Sequence, residues 1–169
     1  MTAEPTNFER AFAGRPEAFA AWQQLNGAIK ARMDPRRYEL ATLAAARRLR
    51  SSYCSLAHGS VLLDQFNEPV VEIARDRRRA GLGEVDVAVM DFAERVVDDA
   101  SSIGEADLLP LRELGLSDEE IMDVVLAASA RCFFSKTLDA LCVLPDASYR
   151  DLPADVRDAL VVGRPIADA

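Results

Sequence analysis

The sequence predicts an all-α protein, and three observations support this. Apolar residues recur at spacings of three and four, helix-capping patterns punctuate the chain, and period-two runs of β-branched residues are absent. With 169 residues, of which 50% are hydrophobic, the chain can build one sizeable core but is short for two ordinary domains. We therefore expect one domain spanning 1–169, with about six to eight helices.

The first predicted helix begins at Pro16, because proline favours the first turn. Its apolar face carries Phe19, Trp22, Leu25 and Ile29. These spacings predict an amphipathic helix with one buried side.

Two further helices follow in close succession and form a predicted helical hairpin. Asp34 and Pro35 supply a cap and a first-turn proline for a helix that runs to about residue 49. Ser51 and Ser52 then offer the cap of the next helix, which ends before Pro69. The short connection predicts that these two helices pack against each other.

The second half of the chain predicts three more helices and a tail. Residues 85–96 and 108–114 show helical spacing, and the shorter stretch is closed by Gly115. Ser117 and Glu120 form a capping box that opens a long apolar helix reaching about Leu141. The prolines after residue 145 leave room for one short helix, so we expect the tail at 146–169 to wrap a neighbour or fray.

Charge and hydropathy exclude several classes of partner. The formal charge of −8 argues against a nucleic-acid partner, since nucleic-acid binders present clustered positive charge. No apolar stretch has the length needed to cross a bilayer, and the first ten residues are acidic and polar rather than signal-like. The sequence therefore predicts a soluble, cytoplasmic protein without a membrane partner.

The three cysteines, at positions 54, 132 and 142, are odd in number and widely spaced. This pattern is not a disulfide framework and fits a reducing compartment. The single histidine and the scattered cysteines predict no metal site, and no cofactor motif appears. Cys132 and Cys142 are interpreted as packing residues in the core or near the surface.

One constellation could carry chemistry. Cys54 and His58 are four residues apart, so on a helix they share a face and could form a thiol–imidazole pair. A cap at Ser51 or Ser52 would place Cys54 in the first turn, where free N–H groups favour thiolate. Glu39, on the preceding helix, could accept the second ring proton of His58.

Each of these residues also has a simple structural interpretation. A cysteine on an apolar helix is commonly a small buried hydrophobe, and Glu39 could pair with Arg36 or Arg47. Trp22 and the Phe133–Phe134 pair are most simply core or subunit-interface aromatics.

The stretch from Glu39 to His58 resembles the active-site motif of the alkylhydroperoxidase D-like (carboxymuconolactone decarboxylase) superfamily. In that family a glutamate is followed by a Cys-x-x-Cys pair and then by a histidine. Glu39, Cys54 and His58 match the glutamate, the second cysteine and the histidine, whereas Ser51 stands where the first cysteine belongs. The resemblance covers about 15–145 and implies an all-α fold that assembles into homo-oligomers, commonly trimers or hexamers, with a dimer possible.

The resemblance implies a thiol-dependent hydroperoxide reductase of peroxiredoxin type. Cys54 would be the thiol that attacks the peroxide, and His58 with Glu39 its proton relay. Serine cannot form the resolving disulfide, so oxidised Cys54 would need Cys132, Cys142 or an external thiol.

Two alternatives remain open at the level of sequence. A lyase of the carboxymuconolactone decarboxylase branch would use His58 as its acid–base group. A non-catalytic oligomeric helical protein would need neither the thiol nor the imidazole.

Overall fold

The computed structural model describes residues 4–168 and confirms the all-α prediction, since this range contains helices and no strand. Nine α-helices lie within it, slightly more than expected: α1 (Asn7–Phe12), α2 (Pro16–Lys30), α3 (Pro35–Arg48), α4 (Ser52–Phe66), α5 (Val70–Asp76), α6 (Glu84–Asp99), α7 (Glu105–Glu113), α8 (Asp118–Ala140) and α9 (Ala154–Leu160). Two short 3-10 helices, Ala100–Ser102 and Ala147–Asp151, complete the described chain.

Helix α3 is the centre of the molecule. Every residue from 38 to 46 is buried, and the helix packs against α4, α6 and α8. Several of these residues are alanines, whose small side chains let neighbouring helices approach on more than one side. The sequence predicted the start of α3 correctly, because the Asp34 side chain accepts a hydrogen bond from Arg37 N and Pro35 opens the first turn.

The connection from α3 to α4 is a tight turn of three residues. Arg50 adopts a left-handed conformation with φ of 59°, and Ser51 N donates to Ala46 O at 2.9 Å, closing the end of α3. This turn places the start of α4 beside the end of α3. The predicted hairpin is therefore present, and it brings the two halves of the sequence motif onto packed helices.

Helix α8 begins at the predicted capping box, in which Ser117 Oγ accepts from Glu120 N and the Glu120 carboxylate accepts from Ser117 N. It runs 23 residues and ends one residue before the predicted Leu141. Because α8 contacts α2, α3 and α6, its middle turns lie next to the central helix.

At the ends of the chain one helix was missed and one expectation is wrong, although the single short helix expected in the tail is present as α9. The sequence analysis did not foresee α1, although Thr6 and Glu9 form a capping box that opens it. The tail neither frays nor leaves its own chain: Val156 and Leu160 are buried, and α9 packs on α4 and α5. The apolar side chains of α9 find a groove on their own chain, and burying them there outweighs the entropy of a loose tail.

The core has two parts. The larger part is mainly aliphatic and lies among α3, α6 and α8. The smaller part, which we call the aromatic cluster, contains Phe12, Ala46, Tyr53, Cys54, Phe134 and Leu138, with Phe8, Ala11, Phe19, Trp22, Val143 and Tyr149 packed against it. Of the predicted face of the Pro16 helix, Ile29 is buried but Leu25 is exposed.

Candidate active site

Cys54 lies at the third residue of α4, in the first turn, as the sequence predicted. Ser51 occupies the N-cap position, but its side chain does not cap the helix. Backbone N–H groups in the first turn have no partner within the helix, and the positive end of the helix dipole lies there. The local structure therefore favours negative charge near the Cys54 thiol.

The C-terminal segment packs over the beginning of α4. Val162 N and Gly163 N donate to Ser52 Oγ at 3.2 and 2.8 Å. A Cβ at position 163 would lie 2.0 Å from the carbonyl oxygen of Arg50, so this close approach requires glycine. This packing helps to bury Ser51 and Ser52 completely.

Glu39 and His58 meet as the sequence predicted. His58 Nδ1 lies 2.5 Å from Glu39 Oε2, and the buried carboxylate also pairs with Lys30 Nζ at 2.9 Å through Oε1. The alternative partners of Glu39 are engaged elsewhere, because Arg36 pairs with Glu68 and Asp86. Glu39 is therefore placed to accept the Nδ1 proton of His58, leaving Nε2 for other chemistry.

The surroundings keep His58 neutral and Glu39 ionised. Burial lowers the pKa of His58 to about 4, helped by the positive charge of Arg131 and opposed by Glu39. Burial raises the pKa of Glu39, but its contacts with His58 and Lys30 outweigh this, and the net shift is downward. At neutral pH the imidazole is an uncharged acid–base group oriented by a carboxylate.

Cys54 is only 2% exposed, and its thiol partner is not the one expected from the sequence. Within residues 4–168, the hydrogen bond to Cys54 Sγ comes from Arg131 Nη1, at 3.6 Å, and none joins the thiol to His58. Sharing a face of α4 brings the Cβ atoms of positions 54 and 58 to roughly 5–6 Å, which does not by itself create a hydrogen bond. The hydrogen bond expected between the Cys54 thiol and the His58 imidazole is therefore not present among the described residues.

Arg131 is the residue that the sequence analysis missed. It lies in the middle of α8, is 3% exposed, and donates a second, long hydrogen bond from Nη2 to Tyr38 Oη at 3.5 Å. Its guanidinium also lies 5.9 Å from the ring centre of Trp22 and 5.6 Å from that of Phe134. The available signal was a lone cation inside the apolar run of the longest helix.

Ser51, which the sequence resemblance aligns with a first cysteine, is fully buried, and its Oγ makes no hydrogen bond within the described chain. Ser55, one turn further along α4, has the same two properties. Ser51 is three residues before Cys54, so both side chains belong to the same first turn.

The other two cysteines lie outside this constellation. Cys132 is partly buried on α8, and burial raises the pKa of its thiol. Cys142 is exposed just beyond α8, where its sulfur accepts a hydrogen bond from Arg164 at 3.4 Å. All three cysteines are free thiols.

Two features are absent from residues 4–168, a metal-binding cluster and a membrane-spanning helix. This part of the chain holds no group of three or more His, Cys, Asp or Glu side chains arranged to bind a metal ion. None of its helices combines the length and apolar character needed to span a bilayer.

Comparisons with proteins of known structure identify the fold. No protein-family model matches the sequence, and no curated protein matches it. A solved structure described as an alkylhydroperoxidase AhpD core, an uncharacterized peroxidase-related protein from Ralstonia eutropha JMP134, superposes with a TM-score of 0.78 and 23% identity over 85% of this chain and 78% of that one. An uncharacterized peroxidase-related protein from Silicibacter sp. TM1040 gives a TM-score of 0.76 and 21% identity over 83% and 76%. This chain therefore has the alkylhydroperoxidase D-like fold.

Proposed function

We propose that this protein is a thiol-dependent hydroperoxide reductase of the alkylhydroperoxidase D-like superfamily, with Cys54 as its nucleophile and His58 and Glu39 as its proton relay. The observation that carries the proposal is the 2.5 Å contact between His58 and Glu39 on the face of α4 that also carries Cys54. A cysteine in a first helical turn, beside an oriented imidazole and a buried cation, is the arrangement expected for a reactive thiol.

The proposed reaction begins with the Cys54 thiolate and a hydroperoxide. The sulfur attacks the terminal peroxide oxygen, the O–O bond breaks, and Cys54 becomes a sulfenic acid. The departing alkoxide takes a proton and leaves as the alcohol. His58 relays that proton from solvent, and Glu39 stabilises the imidazolium that forms in passing.

Regeneration needs an external thiol in this proposal. Ser51 cannot supply a sulfur, and neither Cys132 nor Cys142 belongs to the set of side chains packed around Cys54. One external thiol condenses with the sulfenic acid, releasing water and forming a mixed disulfide. A second external thiol then restores Cys54 and leaves as the oxidised disulfide.

We also propose that the protein works as a homo-oligomer, a trimer or hexamer or else a dimer. Met122, Leu126 and Phe133 are exposed on one side of α8, with Met122 at 61% and Phe133 at 49%. Such a stripe of large apolar side chains is unusual on a monomer. Light scattering at micromolar concentration should report two or more subunits, and a strictly monomeric mass would contradict this part of the proposal.

The decisive experiment for the proposed function is a peroxide titration with mass-spectrometric detection of sulfenic acid at each cysteine. Cys54 should be oxidised first, and peroxide consumption with excess thiol should be lost in Cys54→Ser. The matched control, Cys132→Ser with Cys142→Ser, should retain it.

Two outcomes of that experiment would reject the proposal. Equal and slow oxidation of all three cysteines would remove Cys54 as the nucleophile. Turnover of a lactone acid that survives Cys54→Ser and disappears in His58→Gln would instead assign the protein to the decarboxylase-like branch, with His58 as its acid–base group.

A further inference from the structure

Among the described residues, the buried guanidinium of Arg131 has no carboxylate partner. Its hydrogen bonds go to Cys54 Sγ and Tyr38 Oη, and in residues 4–168 no acidic side chain forms an ion pair with it. Glu39, the acidic residue of the candidate site, is already paired with Lys30 and His58. Arg131 is therefore a buried cation that lacks an obvious counter-charge.

A buried positive charge without a counter-charge is strongly unfavourable, and arginine cannot escape the cost by losing its proton. The faces of Trp22 and Phe134 offset part of this cost through cation–π contact. A permanent cation in such a place raises the stability of any anion that it contacts. Arg131 therefore favours negative charge on an ionisable neighbour.

Two of the three ionisable groups around Arg131 are unsuited to that role. Tyr38 donates its hydroxyl proton to the neutral amide oxygen Oδ1 of Asn26 at 2.7 Å, so that proton already has an acceptor. His58 is kept neutral, because burial and Arg131 itself lower its pKa. Cys54 remains, and its sulfur is the acceptor of the guanidinium N–H.

We propose that Arg131 is the permanent counter-ion of a Cys54 thiolate and that it, rather than a protonated His58, holds the thiol ionised in the resting protein. This inference rests on the proposed function, because a cysteine that reduces peroxide reacts as the thiolate. It leaves neutral His58 free to handle the proton of the leaving group. Arg131 is thus a positioning residue that acts through the charge of Cys54.

The test measures thiolate directly and needs no peroxide. In a background with Cys132→Ser and Cys142→Ser, the absorbance at 240 nm reports the Cys54 thiolate at pH 7, and iodoacetamide reports its reactivity. Arg131→Met, which keeps the volume and removes the charge, should lose most of the absorbance and slow alkylation at least about tenfold. Arg131→Lys keeps the charge and should retain most of both.

His58→Ala separates this proposal from the simpler thiol–imidazole pair. If Arg131 is the counter-ion, the absorbance at pH 7 should persist without the imidazole, whereas an imidazolium counter-ion would take it away. This variant also decides the matter if Arg131→Met does not fold. Unchanged absorbance in folded Arg131→Met, or its loss in His58→Ala, would overturn the inference.

The two proposals fail in distinguishable ways. A wild-type protein that shows the Arg131-dependent thiolate but consumes no peroxide would reject the proposed function and keep the counter-ion role. Peroxide consumption through Cys54 that is equally fast in wild type and in Arg131→Met would keep the proposed function and reject the counter-ion role.

Discussion

Arg131 is buried and Arg47 is partly buried, and the groups to which they donate hydrogen bonds differ in one decisive respect. Arg47 donates to the carbonyl oxygens of Ala159 and Ala74, which belong to the last turns of α9 and α5. Arg131 donates to a thiol and a phenol, and its charge lowers the pKa of His58. Carbonyl groups cannot change their charge, whereas thiols and imidazoles can.

This difference separates a structural cation from one that is available to chemistry. Arg47 satisfies two helix C-termini that lack partners of their own and fastens α5 and α9 to the end of α3. Arg131 makes no such backbone contacts among the described residues, so we expect it to contribute less to stability than Arg47. A buried or partly buried arginine therefore does not by itself identify a functional site. Whether its hydrogen-bond partners can ionise decides between a structural and a chemical role.

The largest difference between the two regions should appear in the pH dependence of stability. An unfolded imidazole binds a proton below pH 6.5, whereas folded His58 binds it only near pH 4. The contribution of His58 to the free energy of unfolding should therefore be fully present above pH 6.5. It should fall by roughly 3 kcal/mol as the pH drops from 6.5 to 4. The lowered pKa of Glu39 acts in the same direction at the acid end.

Urea unfolding of wild type and His58→Gln between pH 4 and 7 measures this contribution as the difference between the two slopes. Arg47→Met leaves the contacts of His58 and Glu39 intact and should keep the part of the slope that comes from His58. Identical slopes in wild type and His58→Gln would show that His58 is not held neutral by the fold.

Replacing each arginine by methionine should cost more unfolding free energy at position 47 than at position 131. Arg47→Met leaves two carbonyl groups without their donor and should cost about 2 kcal/mol of unfolding free energy at pH 7. Arg131→Met removes a buried charge whose proposed counter-ion, Cys54, can take up a proton once the guanidinium is gone, so it should cost less than about 1 kcal/mol. Urea unfolding of the two variants checks this order, and a larger loss for Arg131→Met would make its role structural.

A second thiol next to Cys54 should increase the rate of peroxide turnover. Ser51→Cys should raise peroxide turnover with a dithiol reductant about tenfold, because it places a resolving thiol in the same helical turn as Cys54. Ser51 Oγ has no hydrogen bond within the described chain, so the exchange should cost little stability. Mass spectrometry should detect a 51–54 disulfide after one equivalent of peroxide.

Ser55→Cys is the matched control, since Ser55 is equally buried and equally unpartnered but faces about 100° away from Cys54 on α4. It should gain no turnover. Equal gains from both variants would mean that an added thiol acts from anywhere, and no gain from Ser51→Cys would count against redox chemistry at this site.

The smallest effect is expected at Lys30, which is 48% exposed and pairs with Glu39. Burial and Arg131 lower the pKa of His58 more than Lys30 does, so Lys30→Met should raise that pKa only slightly. The loss of stability should stay below about 1 kcal/mol, as for other half-exposed pairs. NMR titration of the single histidine measures the shift, and a downward shift would contradict the assignment.

Helix starts were the most predictable part of this fold, because their signals are local. The capping residues Asp34 and Ser117 lie within three residues of the N–H groups that they satisfy. Helix α1 carries the same kind of signal at Thr6 and Glu9, but its six residues are too few for a clear apolar period. The tail was mispredicted because its partners on α4 and α5 are about a hundred residues away in sequence.

The candidate site divides in the same way. The sequence by itself determined the placement of Cys54 in a first turn, its shared face with His58 and the approach of Glu39, because these depend on helix period and one short turn. Only the tertiary structure decided which group contacts the thiol, since Arg131 is 77 residues from Cys54 in sequence. Periodicity within one helix fixes which side chains share a face, whereas the packing of α8 on the rest of the bundle fixes which charge that face meets.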